Sequence, residues 1–264
     1  MDLKGKVAIV TGAGKPDGIG RACVERLKEL GASVVLCELG GTEAIRQASV
    51  DYPDASTGVA VTHTDVTKAF DAEKAVALAE DTFGGLDILV NNAGVGVGSH
   101  DFLETPDSDW TLSMSVNLMG PVNFCKAAIP AMLKRGGGSI INISSLSGLG
   151  AIASIPACYT ASKFAAIGFT KQLAIQYAPD SIRVNAICPG SVRTDMMKGA
   201  MELLAAEQGI SVEEAEALEA STIPAGRAAN PSEVADAVAF LAGNGSAYMT
   251  GVALPVSGGM PPGL

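Results

Sequence analysis

Seven short apolar runs rich in strand-forming residues recur along the whole chain: "KVAIV", "SVVLC", "GVAVTH", "LDILV", "GSIINIS", "RVNAIC" and "VALPV". Nearly every one is followed by a segment of helical periodicity. The expected helices run through Leu30, over Thr42–Val50, over "KAFDAEKAVALAEDTF", from about Asp107 to Leu133, over Tyr159–Tyr177 and after Pro231. Strand, helix and strand repeated in this way leave few topologies open, because parallel neighbours require right-handed crossovers. The pattern predicts one α/β domain over residues 1–264, a doubly wound parallel sheet of about seven strands with helices on both faces.

Composition narrows the function. Of the 264 residues 48% are hydrophobic and 17% charged, enough for a sizeable core and against disorder. A formal net charge of -10 argues against nucleic acid, whose binding depends on Lys and Arg. The N-terminal "MDLKGK" followed by "VAIV" is too short and too quickly charged for a signal peptide. The longest uncharged stretch, Gly136–Ser162, contains Asn142, Pro156 and many glycines and serines, so it reads as buried protein and not as a membrane span. Five scattered cysteines without CxxC spacing support neither disulfides nor zinc and point to a reducing, cytoplasmic setting. His63 and His100 are far apart, so no metal is expected. His100 either touches substrate or is a solvated loop residue. Cys158 reads as a small packed residue, since no base for it is visible.

"TGAGKPDGIG" (11–20) lies between the first strand and its helix, where a dinucleotide-binding loop belongs. Counted from Gly12, Gly18 and Gly20 come two residues later than in TGxxxGxG; counted from Gly14, the GxxxGxG interval is intact. Gly12 ends the strand, Gly18 lets the backbone approach a pyrophosphate, and Gly20 lets the helix pack on the sheet. The helix N-terminus adds N–H donors and a positive dipole end. Glu38, after "SVVLC", stands where a carboxylate accepts the adenosine ribose hydroxyls, and a 2′-phosphate would meet its charge. NAD is therefore expected over NADP. Lys15 is the counter-signal, weakened by its neighbours Pro16 and Asp17.

"YTASK" sets Tyr159 and Lys163 at i and i+4 on one helix face. Hydride transfer to or from a carbinol carbon requires a group that is both acid and base. A tyrosine serves if a nearby ammonium brings its pKa towards neutrality. Ser144 and Ser145 end a strand one loop earlier, where a hydroxyl can stabilise charge on the substrate oxygen, although turn bonding is the alternative. Asn117, polar within an apolar helical stretch, is either a satisfied core amide or part of a water relay.

With these motifs in this order, the chain resembles a short-chain dehydrogenase/reductase over essentially its full length. The resemblance implies a Rossmann-like fold and a tetrad of Asn117, Ser145, Tyr159 and Lys163. Tyr159 would be the acid/base and Lys163 its activator and ribose ligand. Ser145 would orient substrate, and Asn117 would hold the relay water. For the cofactor it implies Gly12, Gly14, Asp17, Gly18 and Ile19 in the glycine loop, Glu38, and Asp65 with Val66 at the adenine. It adds Asn92, Ala93 and Gly94 of "NNAG", and Pro189, Gly190, Val192 and Thr194 of "PGSVRTDM" at the nicotinamide amide. "GRAANPSEVADAVAFL" and "TGVALPVSGG" match the C-terminal pattern. A homotetramer through the long helices and the last strand is also implied.

Two departures stand out. The Ser145 to Tyr159 interval is one residue longer than the commonest spacing, which places the extra residue in "LGAIASIPAC". The long glycine loop resembles that of the divergent enoyl-reductase branch, but the tyrosine those enzymes carry seven residues before the lysine is Pro156 here. The leading expectation is an NAD-dependent dehydrogenase of a secondary alcohol, apolar or cyclic if Leu149, Ile152, Ile155, Met196 and Met197 line its pocket. A 3-oxoacyl-thioester reductase and a non-catalytic NAD sensor are the alternatives. The Met- and Ala-rich segment 193–225 reads as a substrate lid or a surface helical hairpin.

Overall fold

The computed structural model describes residues 2–262. Seven strands form one sheet: β1 (Val7–Thr11), β2 (Ser33–Glu38), β3 (Val59–His63), β4 (Ile88–Asn91), β5 (Gly138–Ile143), β6 (Ile182–Pro189) and β7 (Ala253–Val256). The order is β3-β2-β1-β4-β5-β6-β7, and every pairing is parallel. The expected doubly wound sheet is observed.

Its central strands are apolar at successive positions because both faces are covered. Ala8 and Val10 of β1 pack with Val34, Leu36 and Val90 against α1 (Ile19–Glu29) and α9 (Pro231–Ala242). Val7 and Ile9 face the other way, towards α3 (Ala69–Phe83), α5 (Gly120–Lys134) and α6 (Ala157–Tyr177). The short α2 (Glu43–Asp51) crosses between β2 and β3, its N-cap Thr42 accepting from the Ile45 N–H.

The helix expected over Asp107–Leu133 is interrupted. α4 (Asp107–Met114) passes through a π turn, Ser115–Met119, before α5 continues to Lys134. Single π turns inside α-helices recur at functional sites, and this one carries Asn117. The segment after β6 is more regular than its sequence suggests. α7 (Asp195–Gln208) and α8 (Val212–Thr222) form a hairpin packed through Met201, Ala205 and Ala215.

A chain of buried amides locks the sheet to α6. Asn91 Nδ2 donates to Asn142 Oδ1 at 2.8 Å across β4 and β5, and Asn142 Nδ2 donates to the Thr170 hydroxyl at 2.8 Å. At the other end of the site, α1 comes so close to the sheet that a methyl on Gly20 would lie 2.4 Å from the Gly12 carbonyl oxygen and 2.5 Å from Asn92 Nδ2. Gly20→Ala is expected to destabilise the protein by about 1–3 kcal/mol through overpacking. The measurement is a lowered urea midpoint at unchanged m-value.

Candidate active site

The strand order reverses between β1 and β4, and the crevice at their carboxyl ends is where an open parallel sheet binds its ligand. Gly12 turns the chain there with φ +61°, a conformation that suits glycine. The Thr11 hydroxyl accepts the N–H groups of Asn92 and Ala93, each at 3.0 Å, and Asn92 Nδ2 donates to the Thr11 and Gly12 carbonyls at 2.9 and 2.8 Å. Glycine loop and "NNAG" thus form one unit.

Gly18 is the N-cap of α1, and no side chain caps that helix start, so the first N–H groups of α1, from Ile19 onward, are available to an anion. Gly14 lies buried against the end of β2, where its N–H donates to Glu38 Oε2 at 2.7 Å, and the Leu39 N–H donates to Oε1 at 3.0 Å. Glu38 therefore stands beside the loop, in agreement with its spacing. Lys15, Pro16 and Asp17 are exposed, and Lys15 Nζ turns to Asp195 Oδ2 at 2.9 Å, joining the loop to the start of α7.

The other residues expected at the cofactor lie further along the same edge. The Asp65 carboxylate closes a turn by accepting from the Thr67 N–H and hydroxyl at 2.9 and 2.7 Å. Val66 is buried against Gly120. Pro189 ends β6, the Gly190 N–H donates to the Val256 carbonyl, Val192 bridges to Ala229, and Thr194 is the N-cap of α7.

Around the "NNAG" turn the structure gathers the catalytic candidates. A Cβ on Gly94 would lie 3.3 Å from Asn117 Oδ1 and 3.4 Å from Lys163 Nζ. Asn117 is 3% exposed, its Oδ1 accepting from the Val95 N–H while its Nδ2 donates to the Val95 carbonyl and to the Ser162 hydroxyl. Both ends of its amide are therefore hydrogen-bonded within the protein. Ser162 in turn donates to the Tyr159 carbonyl at 2.7 Å, a link with no sequence signal beyond its place inside "YTASK".

The two serines after β5 have separate tasks. Ser144 is buried, and its hydroxyl donates to the Lys163 carbonyl at 3.0 Å. Ser145 is half-buried and caps a short turn by accepting from the Ser147 N–H at 3.2 Å, leaving its hydroxyl beside the Tyr159 phenol.

Lys163 is 4% exposed and its ammonium donates to the Ile143 carbonyl at 3.1 Å, with Nζ 5.5 Å from the Tyr159 ring centroid. Burial takes its pKa down to about 8. Burial also pushes the Tyr159 phenol above its usual value, with Ser145 acting in the opposite sense. In the protein alone burial, and not the ammonium expected to bring it towards neutrality, sets the direction of the phenol's shift. Both groups are desolvated, and the ammonium is engaged with a carbonyl.

Sequence reasoning missed Arg21, whose guanidinium holds the back of the glycine loop. Its one signal is position, a charge three residues before Val24 on the buried stripe of α1. Cys158, beside Tyr159, is a packing residue that bonds the Val97 carbonyl. Among the described residues no cluster of His, Cys, Asp or Glu could hold a metal, all five cysteines are unpaired, and no helix is long and apolar enough to cross a membrane.

A family model described as enoyl-(acyl carrier protein) reductase matches residues 12–261. The 3-oxoacyl-(acyl-carrier-protein) reductase FabG of Vibrio cholerae is 38% identical over 98% of this chain and 99% of its own. The chain belongs to the short-chain dehydrogenase/reductase family. Other relatives are 2-(S)-hydroxypropyl-CoM dehydrogenase 3 of Xanthobacter autotrophicus, 39% identical over 98% of this chain and 97% of its own, and 3beta-hydroxysteroid dehydrogenase 2 of Eggerthella lenta. The latter is 38% identical over 97% of this chain and 95% of its own. A variant of actinorhodin polyketide ketoreductase, solved with NADPH, superposes with TM-score 0.89 at 37% identity, covering 97% of both chains. This member of the family is thus an oxidoreductase that moves a hydride between a nicotinamide cofactor and a CH–OH carbon.

The buried ammonium makes a stability prediction with a definite sign. Because the folded pKa of Lys163 lies below its unfolded value of 10.5, the cost is fully present below about pH 8 and gone above 10.5. Lys163→Met is therefore expected to be more stable than the parent at pH 7, by up to about 3 kcal/mol at 1.36 kcal/mol per unit. The advantage should vanish as denaturation is repeated at rising pH. A constant difference across that range would contradict it.

Proposed function

We propose that the protein is an NAD-dependent dehydrogenase of a secondary alcohol, with Tyr159 as general acid and base and Lys163, Ser145 and Asn117 as its partners. The observation that carries this reading is the convergence of Lys163 Nζ and the Asn117 amide on Gly94, with Tyr159 one turn from Lys163 and beside Ser145. When bound, the oxidised nicotinamide supplies the hydride acceptor and a positive ring charge. In the oxidative direction Tyr159 would act as the phenolate, favoured by the Lys163 ammonium and by the positive ring of the bound cofactor, taking the substrate hydroxyl proton at Oη while the carbinol hydrogen would pass with its electron pair to the nicotinamide. Ser145 Oγ donates to the substrate oxygen and orients it. Lys163 holds a positive charge within reach of the ring and binds ribose hydroxyls, while Asn117 fixes the turn at Val95 and, through Ser162, the Tyr159 backbone.

NAD over NADP is supported by Glu38, whose carboxylate abuts the Gly14 N–H where a 2′-phosphate would otherwise have to sit. Lys15, the exposed cation of the loop, is paired with Asp195. Met196 reaches towards Gly96 in the loop after β4, which supports the α7–α8 hairpin as a lid over an apolar substrate. Exposed Leu112, Met119, Leu133, Phe164 and Ile175 on α4, the π turn, α5 and α6 support a homotetramer formed through those helices. Five unpaired cysteines support a cytoplasmic setting.

A 3-oxoacyl-thioester reductase is the second reading, favoured by the Vibrio cholerae relative and by the NADPH-bound structural neighbour. Against it stand Glu38 and the net charge of -10. Following the reduced nicotinamide by absorbance, over a panel of secondary alcohols, ketones and 3-oxoacyl thioesters with both cofactors, separates the two.

Tyr159→Phe is expected to lower kcat about 10²–10⁴-fold, the range of a lost general acid and base, with cofactor affinity retained in titration. Equal turnover in the variant would remove Tyr159 from the mechanism. Glu38→Gln is expected to narrow the preference for NAD over NADP about tenfold or more, read as the ratio of kcat/KM values, for the loss of a like-charge repulsion. An unchanged ratio would assign the discrimination elsewhere.

A further inference from the structure

Arg21 is a cation placed where a surface residue would be ordinary, on the first turn of α1, yet its side chain is 5% exposed. Its Nε donates to the Ala13 carbonyl at 3.2 Å and its Nη2 to the Gly14 carbonyl at 2.8 Å. Its Nη1 pairs with the Asp51 carboxylate at the end of α2, and the guanidinium lies 5.3 Å from the Tyr52 ring centroid. The pairing holds the Asp51 carboxyl below the usual range.

The carbonyl of Ala13 and the N–H of Gly14 belong to one peptide unit. That unit is planar and trans, so its oxygen and its hydrogen point in opposite directions. Arg21 grips the oxygen on one side, and Glu38 Oε2 receives the hydrogen at 2.7 Å on the other. The next peptide is held on its oxygen side alone, through the Gly14 carbonyl. Because glycine tolerates most backbone torsions, a loop of this composition does not hold such an orientation alone. A fork of donors anchored to α2 can, and a guanidinium offers that geometry where an ammonium does not.

We propose that Arg21 is a positioning residue that sets the Ala13–Gly14 peptide, and through it the Glu38 carboxylate, so that it governs both dinucleotide affinity and the choice between a ribose hydroxyl and a phosphate. This second effect rests on the reading of Glu38 as the group that selects NAD; the effect on affinity does not. Asp51, at the far end of the fork, belongs to the same device.

Calorimetric titration of Arg21→Gln, Arg21→Lys and Asp51→Asn with NAD and with NADP tests this, beside Glu38→Gln and thermal melts of each variant. Arg21→Gln is expected to weaken NAD binding about ten- to hundredfold, the scale of losing a charged hydrogen bond, and to narrow the NAD to NADP ratio. KM for the cofactor should rise more than kcat falls. Arg21→Lys, with one point of donation, should fall between parent and Arg21→Gln, and Asp51→Asn should move both quantities the same way to a smaller extent. If Arg21→Gln does not fold, the other two variants carry the test. Parental affinity in Arg21→Lys and Asp51→Asn would overturn the proposal, as would losses that follow only the melting temperature. If Glu38→Gln leaves the ratio unchanged while the Arg21 variants still bind NAD weakly, the fault lies in the role of Glu38 and not in that of Arg21.

Discussion

One buried ammonium organises the substrate half of the crevice. Removing Lys163 from water costs several kcal/mol even after relaxation, and the fold accepts this with a single carbonyl partner, that of Ile143 at the end of β5. The surroundings are arranged accordingly. Ser144 holds the lysine's own carbonyl, glycine at position 94 leaves room above the nitrogen, and the π turn brings the Asn117 amide to the same place. A cation kept dry and incompletely partnered is poised to interact with whatever enters. The same burial lowers its pKa.

The cofactor half obeys a different logic. The anion site proposed for it consists of backbone N–H groups at an uncapped helix start, and backbone groups point only where the chain directs them. Orientation is therefore imposed from behind, by Thr11 and Asn92 at the β1–β4 junction and by Arg21 beneath Gly14. The carboxylate of Glu38 is held by two main-chain donors, so its position depends on the loop, and the loop's on Glu38. The two halves meet at "NNAG", where Asn92 serves the glycine loop and Gly94 the ammonium.

Much of this is legible in the chain itself, for identifiable reasons. The strands are visible because a sheet covered on both faces demands continuous apolar runs, as in Val7–Val10 and Val34–Cys37. Tyr159 and Lys163 are visible because helical spacing alone sets them on one face. The π turn is not legible in the apolar periodicity; its visible cause is Pro121, directly after it, which has no N–H for the Asn117 carbonyl four residues earlier. Nor is the direction of the Tyr159 shift, because desolvation depends on burial, which spacing does not report. The pairing of Lys15 with Asp195 and the three-way grip of Arg21 join residues distant in sequence or bond side chain to backbone, and neither leaves a pattern in composition.

The constraints on Lys163, Glu38 and the glycine loop act on strand ends and the first turns after them, and they leave the outer loops comparatively free. Relatives named for a carrier-protein thioester, a CoM derivative and a steroid share 38–39% of their residues with this chain over nearly its whole length. One frame can serve such different named substrates when hydride and proton chemistry are fixed at the sheet edge and recognition is assigned to segments that touch the edge at few points. On the function proposed above, those segments are the loop before α6, with its additional residue, and the α7–α8 hairpin. The hairpin meets the edge through Asp195 at Lys15, through Met196 at Gly96 and through Glu219 at Ser191. Its own small apolar cluster of Met201, Ala205 and Ala215 is separate from the two main cores, so it can change or shift without disturbing the sheet that positions Tyr159.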